Sequence, residues 1–370
     1  MTKRDWRTPT RVLTLGGLIL ALALGVRHGA GLFLQPMTMD LGWGRETFAF
    51  AIALQNLLWG LAQPFTGMIA DKYGSARVVV IGTVLYVAGL VLMAVSQTGW
   101  QLNLSAGLLI GIGLSGTTFS VVLGVVGRSF PAEKRSLALG IASAVGSFGQ
   151  FIMLPIEQVF INRFGWFEAL LIIAVLAALM APLASAMVER RQHSAASMIQ
   201  QSAGDAMKEA LAHRGYVLLT LGFFVCGFQL IFISVHFPAF LIDRGLPPQT
   251  GMMALALIGL FNIVGSYVAG YLGGRISKKY LLTTLYLARS VVITVFLLVP
   301  ITSLSVYVFA AAMGLLWLAT VPLTNGLVAQ IFGTQYLSML GGFVFLSHQI
   351  GSFLGVWRSE ERRVGKECRL

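Results

Sequence analysis

The sequence predicts an all-α integral membrane protein, and three of its features support this fold class. The 370-residue chain is 56% hydrophobic and 11% charged, with a mean hydropathy of +0.81, whereas a soluble domain carries about 25% charged residues. Apolar runs long enough to cross about 30 Å of hydrocarbon as helices recur along the whole chain. The alternating strand pattern of an outer-membrane barrel does not occur in the sequence.

The apolar stretches group into two bundles. A single long hydrophilic segment, residues 189–215, has six spans before it and five after it. We therefore expect an N-terminal bundle of six helices over residues 1–188, a cytoplasmic linker, and a C-terminal bundle of five helices over residues 216–357. The eleven expected spans cover residues 12–36, 48–70, 77–97, 102–127, 137–160, 166–188, 216–240, 251–273, 280–299, 304–328 and 337–357.

The distribution of Lys and Arg predicts the orientation. With a cytoplasmic N-terminus, sixteen basic residues fall in the cytoplasmic loops, and three, Arg45, Arg163 and Arg244, fall on the other side, as the positive-inside rule requires. The net charge of +12 is then a topology signal, so no nucleic-acid partner is expected. We expect a monomer that spans the inner (plasma) membrane many times, in contact with the lipid bilayer.

The last thirteen residues, "RSEERRVGKECRL", depart from this pattern. They place five basic and three acidic residues directly after Trp357, and they leave the second half one helix short of the first. The segment 358–370 resembles a translated sequencing-adapter oligonucleotide, so we interpret it as non-native; a short native tail is the alternative. Cys368 lies in this tail, which leaves Cys226, and no disulfide is expected.

Two short patterns recur with the same spacing of 203 residues. The run "GMIADKYGSAR", Gly67–Arg77, follows the second span, and "GYLGGRISKK", Gly270–Lys279, follows the eighth. In the same way "DLG" at Asp40 follows the first span and "DRG" at Asp243 follows the seventh. One shared offset, together with the six-span grouping, predicts two related halves, as in many secondary transporters.

The Gly67–Arg77 run resembles the signature loop of the major facilitator superfamily. This resemblance implies two pseudo-symmetric six-helix halves, here with the last helix missing, and a latch that opens during alternating access. Asp71 would lie near the start of the following helix, where the helix dipole favours a carboxylate, and basic residues would hold the cytoplasmic ends of the halves together. A positive-inside turn is the alternative. The latch residues implied are Gly67, Asp71, Lys72, Gly74, Arg77, Gly270, Arg275 and Lys278. The second copy has Gly274 where the family often has an acid, and Ser277 in place of a glycine.

Three further runs resemble the bacterial monocarboxylate and oxalate–formate transporter group. They are "GVRHGAGLFLQPM" with "DLGWGRETF", then "LALGIASAVGSFGQFIMLP" and "FLSHQIGSFLG". The resemblance implies a small organic anion as the substrate and no cofactor or metal.

Arg27 is the residue whose chemistry most directly indicates a binding site. An arginine inside a span faces the bundle interior or a water-filled cavity and pairs with a counter-charge there. The spans contain almost no acids, with Glu157 near the outer end of the fifth as the one clear case. A guanidinium fork matches a planar carboxylate, so a substrate anion can complete the pair. Snorkelling to the interface and a structural bond to backbone carbonyls are the alternatives.

Other polar residues within the spans are candidates for the same cavity. In the resembled family the first, fourth, seventh and tenth helices line the cavity, with the second, fifth, eighth and eleventh beside them. An interhelical hydrogen bond is the alternative role for each residue. Arg289, in the ninth span, is interpreted as structural, with a second anion contact as the alternative. The cavity candidates are His28, Gln55, Asn56, Gln150, His236, Asn262, Asn325 and His348.

The sequence reduces the number of transport mechanisms to be considered. It holds no G-x-x-x-x-G-K-[ST] loop and no loop long enough for a nucleotide domain, so we expect a secondary transporter. Proton-linked uptake is favoured because it is common in the resembled family, and the span histidines are the main titrating candidates. Anion exchange of the oxalate–formate type or facilitated diffusion remains open, as do a drug or metabolite exporter and a transport-inactive receptor. No enzymatic motif is present.

Overall fold

The chain folds into eleven long helices that confirm the predicted spans. The computed structural model describes residues 8–189 and 201–367, and no strand occurs among them. Five of the basic residues that predict the orientation lie outside the described residues, and so does Cys368. The five are Lys3, Arg4, Arg7, Arg190 and Arg191. The helices are α1 Pro9–Leu41, α2 Arg45–Tyr73, α3 Ser75–Ala94, α4 Gly99–Ser129, α5 Ala132–Phe164, α6 Trp166–Met187, α7 Arg214–Asp243, α8 Pro248–Gly273, α9 Lys278–Leu298, α10 Ser303–Phe332 and α11 Leu337–Glu367.

The last helix is longer than the eleventh predicted span. The helical backbone of α11 continues to Glu367, beyond the predicted end of the span at residue 357. The added residues are mostly Arg, Glu and Lys, which are good helix formers. Their helix propensity accounts for the longer backbone helix.

Glycines bring α1 and α5 into close contact within the first half. A side chain at Gly149 would overlap the backbone at Ala21, and one at Gly25 would overlap Met153. Membrane helices associate through such small residues because lipid supplies no hydrophobic drive to bring them together. The contact fixes α1, which carries Arg27, against a rigid neighbour.

The two halves, α1–α6 and α7–α11, meet through two equivalent helix pairs, α2 with α11 and α5 with α8. Gly67 of α2 packs on the backbone at Ser338, and Gly270 of α8 packs on the backbone of Gly140. Gly67 and Gly270 are 203 residues apart, so the sequence repeat corresponds to two symmetric contacts. Gly42 and Gly245, also 203 apart, both have left-handed backbones, with φ of 66° and 80°.

The space between the halves is closed at one end and open at the other. We call the end that carries the Gly67–Arg77 loop the loop end and the opposite one the open end. The contacts that join α5 and α8 lie toward the loop end of both helices, where Gly140 meets Gly270 and Ser147 accepts from Asn262. Over the described residues α1 and α7 do not pack along each other. The halves thus meet at the loop end, and we call the space between them toward the open end the cleft. The residues of α1 exposed toward that end are His28, Gly31 and Gln35.

Two central helices are broken at corresponding depths. The helical hydrogen bonding of α4 is interrupted at Thr118, and that of α10 between Leu316 and Thr320. The first break is held by Trp59, whose indole donates to Thr118 Oγ1 at 2.9 Å. Interrupted helices near the membrane centre are typical of transporter binding sites, because they free backbone groups there.

Candidate binding site in the central cleft

Arg27 reaches the centre of the bundle without a carboxylate partner. Its guanidinium donates to Asn56 Oδ1 of α2 and lies 4.9 Å from the ring centroid of Trp59. Its buried Nε has no hydrogen-bond partner. The ion pairs among the described residues join Arg128 to Asp71 and Glu189, and none includes Arg27. The charge is therefore held by an amide and an aromatic face, with donor capacity left over.

Aromatic rings form the floor of the cleft below Arg27. The ring of Phe345 in α11 lies 6.2 Å from that of Trp59, 5.4 Å from that of Phe119 in α4, and 5.4 Å from that of Phe223 in α7. All four side chains are buried. These rings come from both halves, so they separate the open part of the cleft from the closed loop end.

A polar chain crosses between the halves at the depth of Arg27. The backbone carbonyl of Asn56 accepts from Gln349 Nε2 of α11 at 3.3 Å. Gln349 Oε1 lies 3.2 Å from Nδ1 of His348, and the buried Nε2 of His348 has no hydrogen-bond partner. The structure thus brings Arg27, Asn56 and His348 into one connected arrangement.

Three other predicted cavity residues, His28, Gln150 and His236, do not join this chain. His28 is exposed on the cleft face of α1. Gln150 is partly exposed on α5. On the surface of that helix it lies between Gly149, which contacts α1, and Ser147, which contacts α8. His236 in α7 packs against the ring of Phe232 at 5.1 Å. The space on the other side of Arg27, toward α3 and α6, is about 20 Å³, enough for one water, so a larger ligand needs the cleft.

Three candidates from the sequence make hydrogen bonds between or within helices instead. Gln55 Nε2 donates to the carbonyl of Ala106 at 2.8 Å, inside a π-helical turn of α4. Asn262 Nδ2 donates across the halves to Ser147 at 3.0 Å, and its Oδ1 accepts from the amide of Leu318. Asn325 Nδ2 donates to the carbonyl of Val321. All three are buried. The contacts of Gln55 and Asn262 match the interhelical alternative, whereas that of Asn325 lies within α10.

Arg289 lies at the break of α10 and is completely buried. It donates to the carbonyl of Leu316 at 2.6 and 3.1 Å, to that of Trp317 at 2.5 Å, and to Cys226 Sγ at 3.1 Å. These carbonyls belong to the interrupted helix and have lost their usual partners. The contacts match the structural interpretation of this residue.

Replacing Arg289 with alanine is expected to destabilise the protein by about 3 kcal/mol, because two buried carbonyls lose their donors at about 1–3 kcal/mol each. Thermal unfolding in detergent, followed by tryptophan fluorescence, measures the effect. Arg163→Ala, an exposed site on α5, is the control and is expected to unfold like the parent. An unchanged melting temperature for Arg289→Ala would show that the α10 break does not depend on this side chain.

The latch at the loop end is centred on Asp71. Its carboxylate accepts from the backbone amides of Met339 at 2.8 Å and Ser338 at 3.4 Å, at the beginning of α11. Arg128 of α4 donates to Asp71 at 2.7 Å and to Glu189. Asp71 therefore lies at the positive end of the α11 dipole, in the other half of the protein. It also lies near the start of its own next helix, since the Arg128 guanidinium donates to both Asp71 and Ser75. Sequence spacing cannot show the contact with α11, because it joins residues far apart in the chain.

The other latch residues occupy the same end with fewer contacts across the halves. Lys72 and Arg77 are exposed, and Lys72 lies 5.2 Å from the neighbouring ring of Tyr73. Gly74 has a φ of 100°, which explains the glycine in this turn. In the second copy Arg275 lies 4.1 Å from the ring of Tyr271, and Lys278 donates to Gln330 at 3.3 Å. Among the described residues Gly67, Asp71 and Arg128 contact the start of α11, and Gly270 contacts Gly140.

Glu157 lies deeper than the sequence suggested. It is completely buried between α5 and α1, directly against Gly29, and neither carboxylate oxygen has a hydrogen-bond partner. The predicted fifth span ended at residue 160, whereas α5 continues to Phe164, which places Glu157 two turns inside the helix. The carboxyl group is therefore part of the interior of the first half.

These features match a known family. The sequence model of the protein family described as "Major Facilitator Superfamily" matches residues 13–356, which is nearly the whole chain. The protein belongs to the major facilitator superfamily. The match covers both halves, the Asp71 latch and the broken helices α4 and α10.

Known members of the superfamily resemble this chain over most of its length. YcxA of Bacillus subtilis, an uncharacterized MFS-type transporter, is 26% identical over 348 residues, which cover 90% of this chain and 82% of that protein. Monocarboxylate transporter 13 of Rattus norvegicus is 24% identical over 352 residues, covering 90% and 78%. The solved structure of the MFS transporter FucP in its outward conformation superposes with a TM-score of 0.75 at 14% identity, covering 93% and 90%. This superfamily member is thus a membrane transporter by fold and family.

Sequence reasoning missed several residues that shape the cleft of this superfamily member. Trp59, Phe345 and Gln349 contribute the floor and the crossing hydrogen bond, and Arg128 anchors the latch. The aromatic residues resemble any apolar span residue in sequence, so no pattern distinguished them. Arg128 counts in the sequence only as one of the basic residues of the cytoplasmic loops. In the structure it pairs with Asp71 of its own half and donates to Ser338 of the other half.

Proposed function

We propose that this major facilitator transporter carries a small organic anion of the monocarboxylate type across the inner membrane by alternating access, linked to proton movement. The loop end faces the cytoplasm in this proposal, with a cytoplasmic N-terminus, because the basic loops collect there. The protein acts as a monomer in the bilayer. The cleft of the described structure then opens to the outside.

The observation that carries the proposal is the unpaired charge of Arg27 at the cleft. A buried guanidinium costs free energy unless an anion or several acceptors satisfy it. Asn56 and Trp59 supply one acceptor and one aromatic face, and Nε remains free. A carboxylate can accept two parallel hydrogen bonds from one guanidinium, so a monocarboxylate completes the arrangement.

The relatives add support for the same substrate class. Several proteins that resemble this chain at 24–25% identity are named monocarboxylate transporters. The aromatic floor next to Arg27 suits an anion with a short apolar tail, since one end needs charge and the other needs an apolar surface. The exporter alternative is less favoured, because an apolar drug would leave the arginine unpaired.

Counterflow in proteoliposomes tests the proposal. Vesicles loaded with unlabelled propionate, lactate, pyruvate, formate or oxalate are expected to accumulate labelled propionate, whereas vesicles loaded with propionamide are not. The amide matches propionate in shape and lacks its charge, so it is the matched control. Equal counterflow with amide and acid, or none with any carboxylate, would contradict the proposal. Accumulation under a pH gradient then separates proton symport from anion exchange, the second candidate.

A further inference from the structure

The buried carboxyl group of Glu157 has no structural explanation in the contacts around it. It is completely buried, forms no ion pair among the described residues, and leaves both oxygens without a donor. A buried polar group without partners costs free energy. An ionisable group kept in such a position inside a membrane bundle points to a function.

Glu157 lies against the turn of α1 that carries the anion site. Its carboxylate is so close to Gly29 that a methyl group there would overlap it. Gly29 begins the 3-10 segment Gly29–Phe33 and follows Arg27 and His28 directly. A change in this turn therefore alters both the surroundings of Glu157 and the position of Arg27.

The titratable groups around Glu157 are few. From α1 they are Arg27 and the exposed His28, and from α3 Tyr86, whose hydroxyl donates to the carbonyl of Ala23 at 3.0 Å. Arg163 on α5 and Glu168 on α6 lie exposed toward the open end. Arg27 is thus the one fixed cation on the adjoining turn of α1, and its side chain extends toward Asn56 and Trp59 of α2.

We propose that Glu157 carries the proton that crosses the membrane with the anion, an inference that rests on the proposed function. One carboxylate oxygen takes a proton from a hydronium ion in the cleft, so that an O–H bond forms on Glu157 as an O–H bond of the hydronium ion breaks and water is left. On the other side the carboxyl O–H bond breaks and the proton passes back to a water molecule.

The charges explain how such a proton couples to the anion. The described site, in which Glu157 has no partner, holds the Arg27 cation and a neutral, protonated Glu157. After the proton and the anion have both left, the site holds Arg27 as a cation and Glu157 as an anion, and its net charge is zero. The fully loaded site holds the Arg27 cation, the substrate anion and a neutral Glu157, and is again neutral. A site with the proton alone or the substrate alone carries a net charge, which is costly in the low-dielectric centre of the membrane. Only the two neutral forms of the site therefore allow the protein to convert between its outward-facing and inward-facing states.

Glu157→Gln tests the inference, because glutamine has a similar shape and does not titrate. The variant is expected to keep exchange of labelled for unlabelled propionate and to lose, by at least tenfold, the accumulation driven by an inside-alkaline pH gradient. Glu168→Gln is the matched control and is expected to keep both activities. Accumulation by Glu157→Gln equal to the parent would overturn the inference.

A second measurement does not depend on transport. Propionate binding to the purified protein in weak buffer is expected to take up a proton in the parent and none in Glu157→Gln; equal proton uptake by both would contradict the inference. If the parent exchanges propionate but a pH gradient drives no accumulation, the Glu157 inference fails while the anion-transport proposal stands. If the parent neither binds nor exchanges any carboxylate, the proposed function itself fails.

Discussion

Arg27→Ala is expected to lower propionate uptake at low substrate concentration by at least about 100-fold. The guanidinium can give two charge-assisted hydrogen bonds to the carboxylate, each contributing about 1.5–3 kcal/mol, and every 1.4 kcal/mol changes an affinity tenfold. Initial uptake rates over a range of propionate concentrations measure the effect. The loss is expected mainly in affinity, since the side chain contacts the ligand and not the latch.

Two further variants make this expectation specific. Arg27→Lys keeps the charge and loses the planar fork, so it is expected to retain weak uptake, between the parent and the alanine variant. Arg163→Ala removes an exposed arginine at the open end of α5 and is expected to transport like the parent. Thermal unfolding of Arg27→Ala is expected to match or exceed that of the parent, because the variant no longer buries an unpaired charge. Parent-like uptake by Arg27→Ala would show that the anion binds elsewhere.

Asp71→Ala is expected to open the loop end. The carboxylate accepts hydrogen bonds from two backbone amides of α11 and forms an ion pair with Arg128. Removing one partner of a buried ion pair costs about 3–5 kcal/mol. A loss of 3 kcal/mol from the closed state alone shifts the ratio of closed to open molecules more than 100-fold. Transport is expected to slow, because the outward state becomes hard to reach.

Distances between spin labels measure this opening directly. Tyr73 and Gln335 are both exposed at the loop end, one in each half, and cysteine replacements there can carry the labels. The parent is expected to give a short distance, and the Asp71→Ala variant a longer or broader one. Glu133→Gln, an exposed acid at the start of α5, is the control with no expected change. An unchanged distance distribution in Asp71→Ala would show that the latch does not hold the halves together.

Much of the fold could be predicted from the sequence, because hydropathy and length determine helices in a membrane. All eleven spans occur as long apolar helices, and the 203-residue offset corresponds to the paired Gly67 and Gly270 contacts. The helix ends were less predictable. Helices α1 and α5 both run beyond their predicted spans, to Leu41 and Phe164, and the extension of α5 places Glu157 two turns inside the helix.

The site was predictable where a single residue violated a physical rule. Arg27 broke the hydropathy pattern of its span, and the structure does place it at the cleft with Asn56. Roles that depend on a partner far away in the chain were not predictable. Asp71 contacts the start of α11 in the other half, and Gln55 and Asn262 satisfy backbone groups at irregularities of α4 and α10 that no local sequence pattern indicates.

The central claim is that a carboxylate binds Arg27 in the cleft above the aromatic floor. A crystal structure with 2-bromopropionate tests it directly, since the bromine gives an anomalous signal at a single position. The account predicts a bromine peak over the rings of Trp59 and Phe345, with the carboxylate within hydrogen-bond distance of the Arg27 guanidinium. A peak elsewhere in the protein, with Arg27 still bonded only to Asn56, would contradict it.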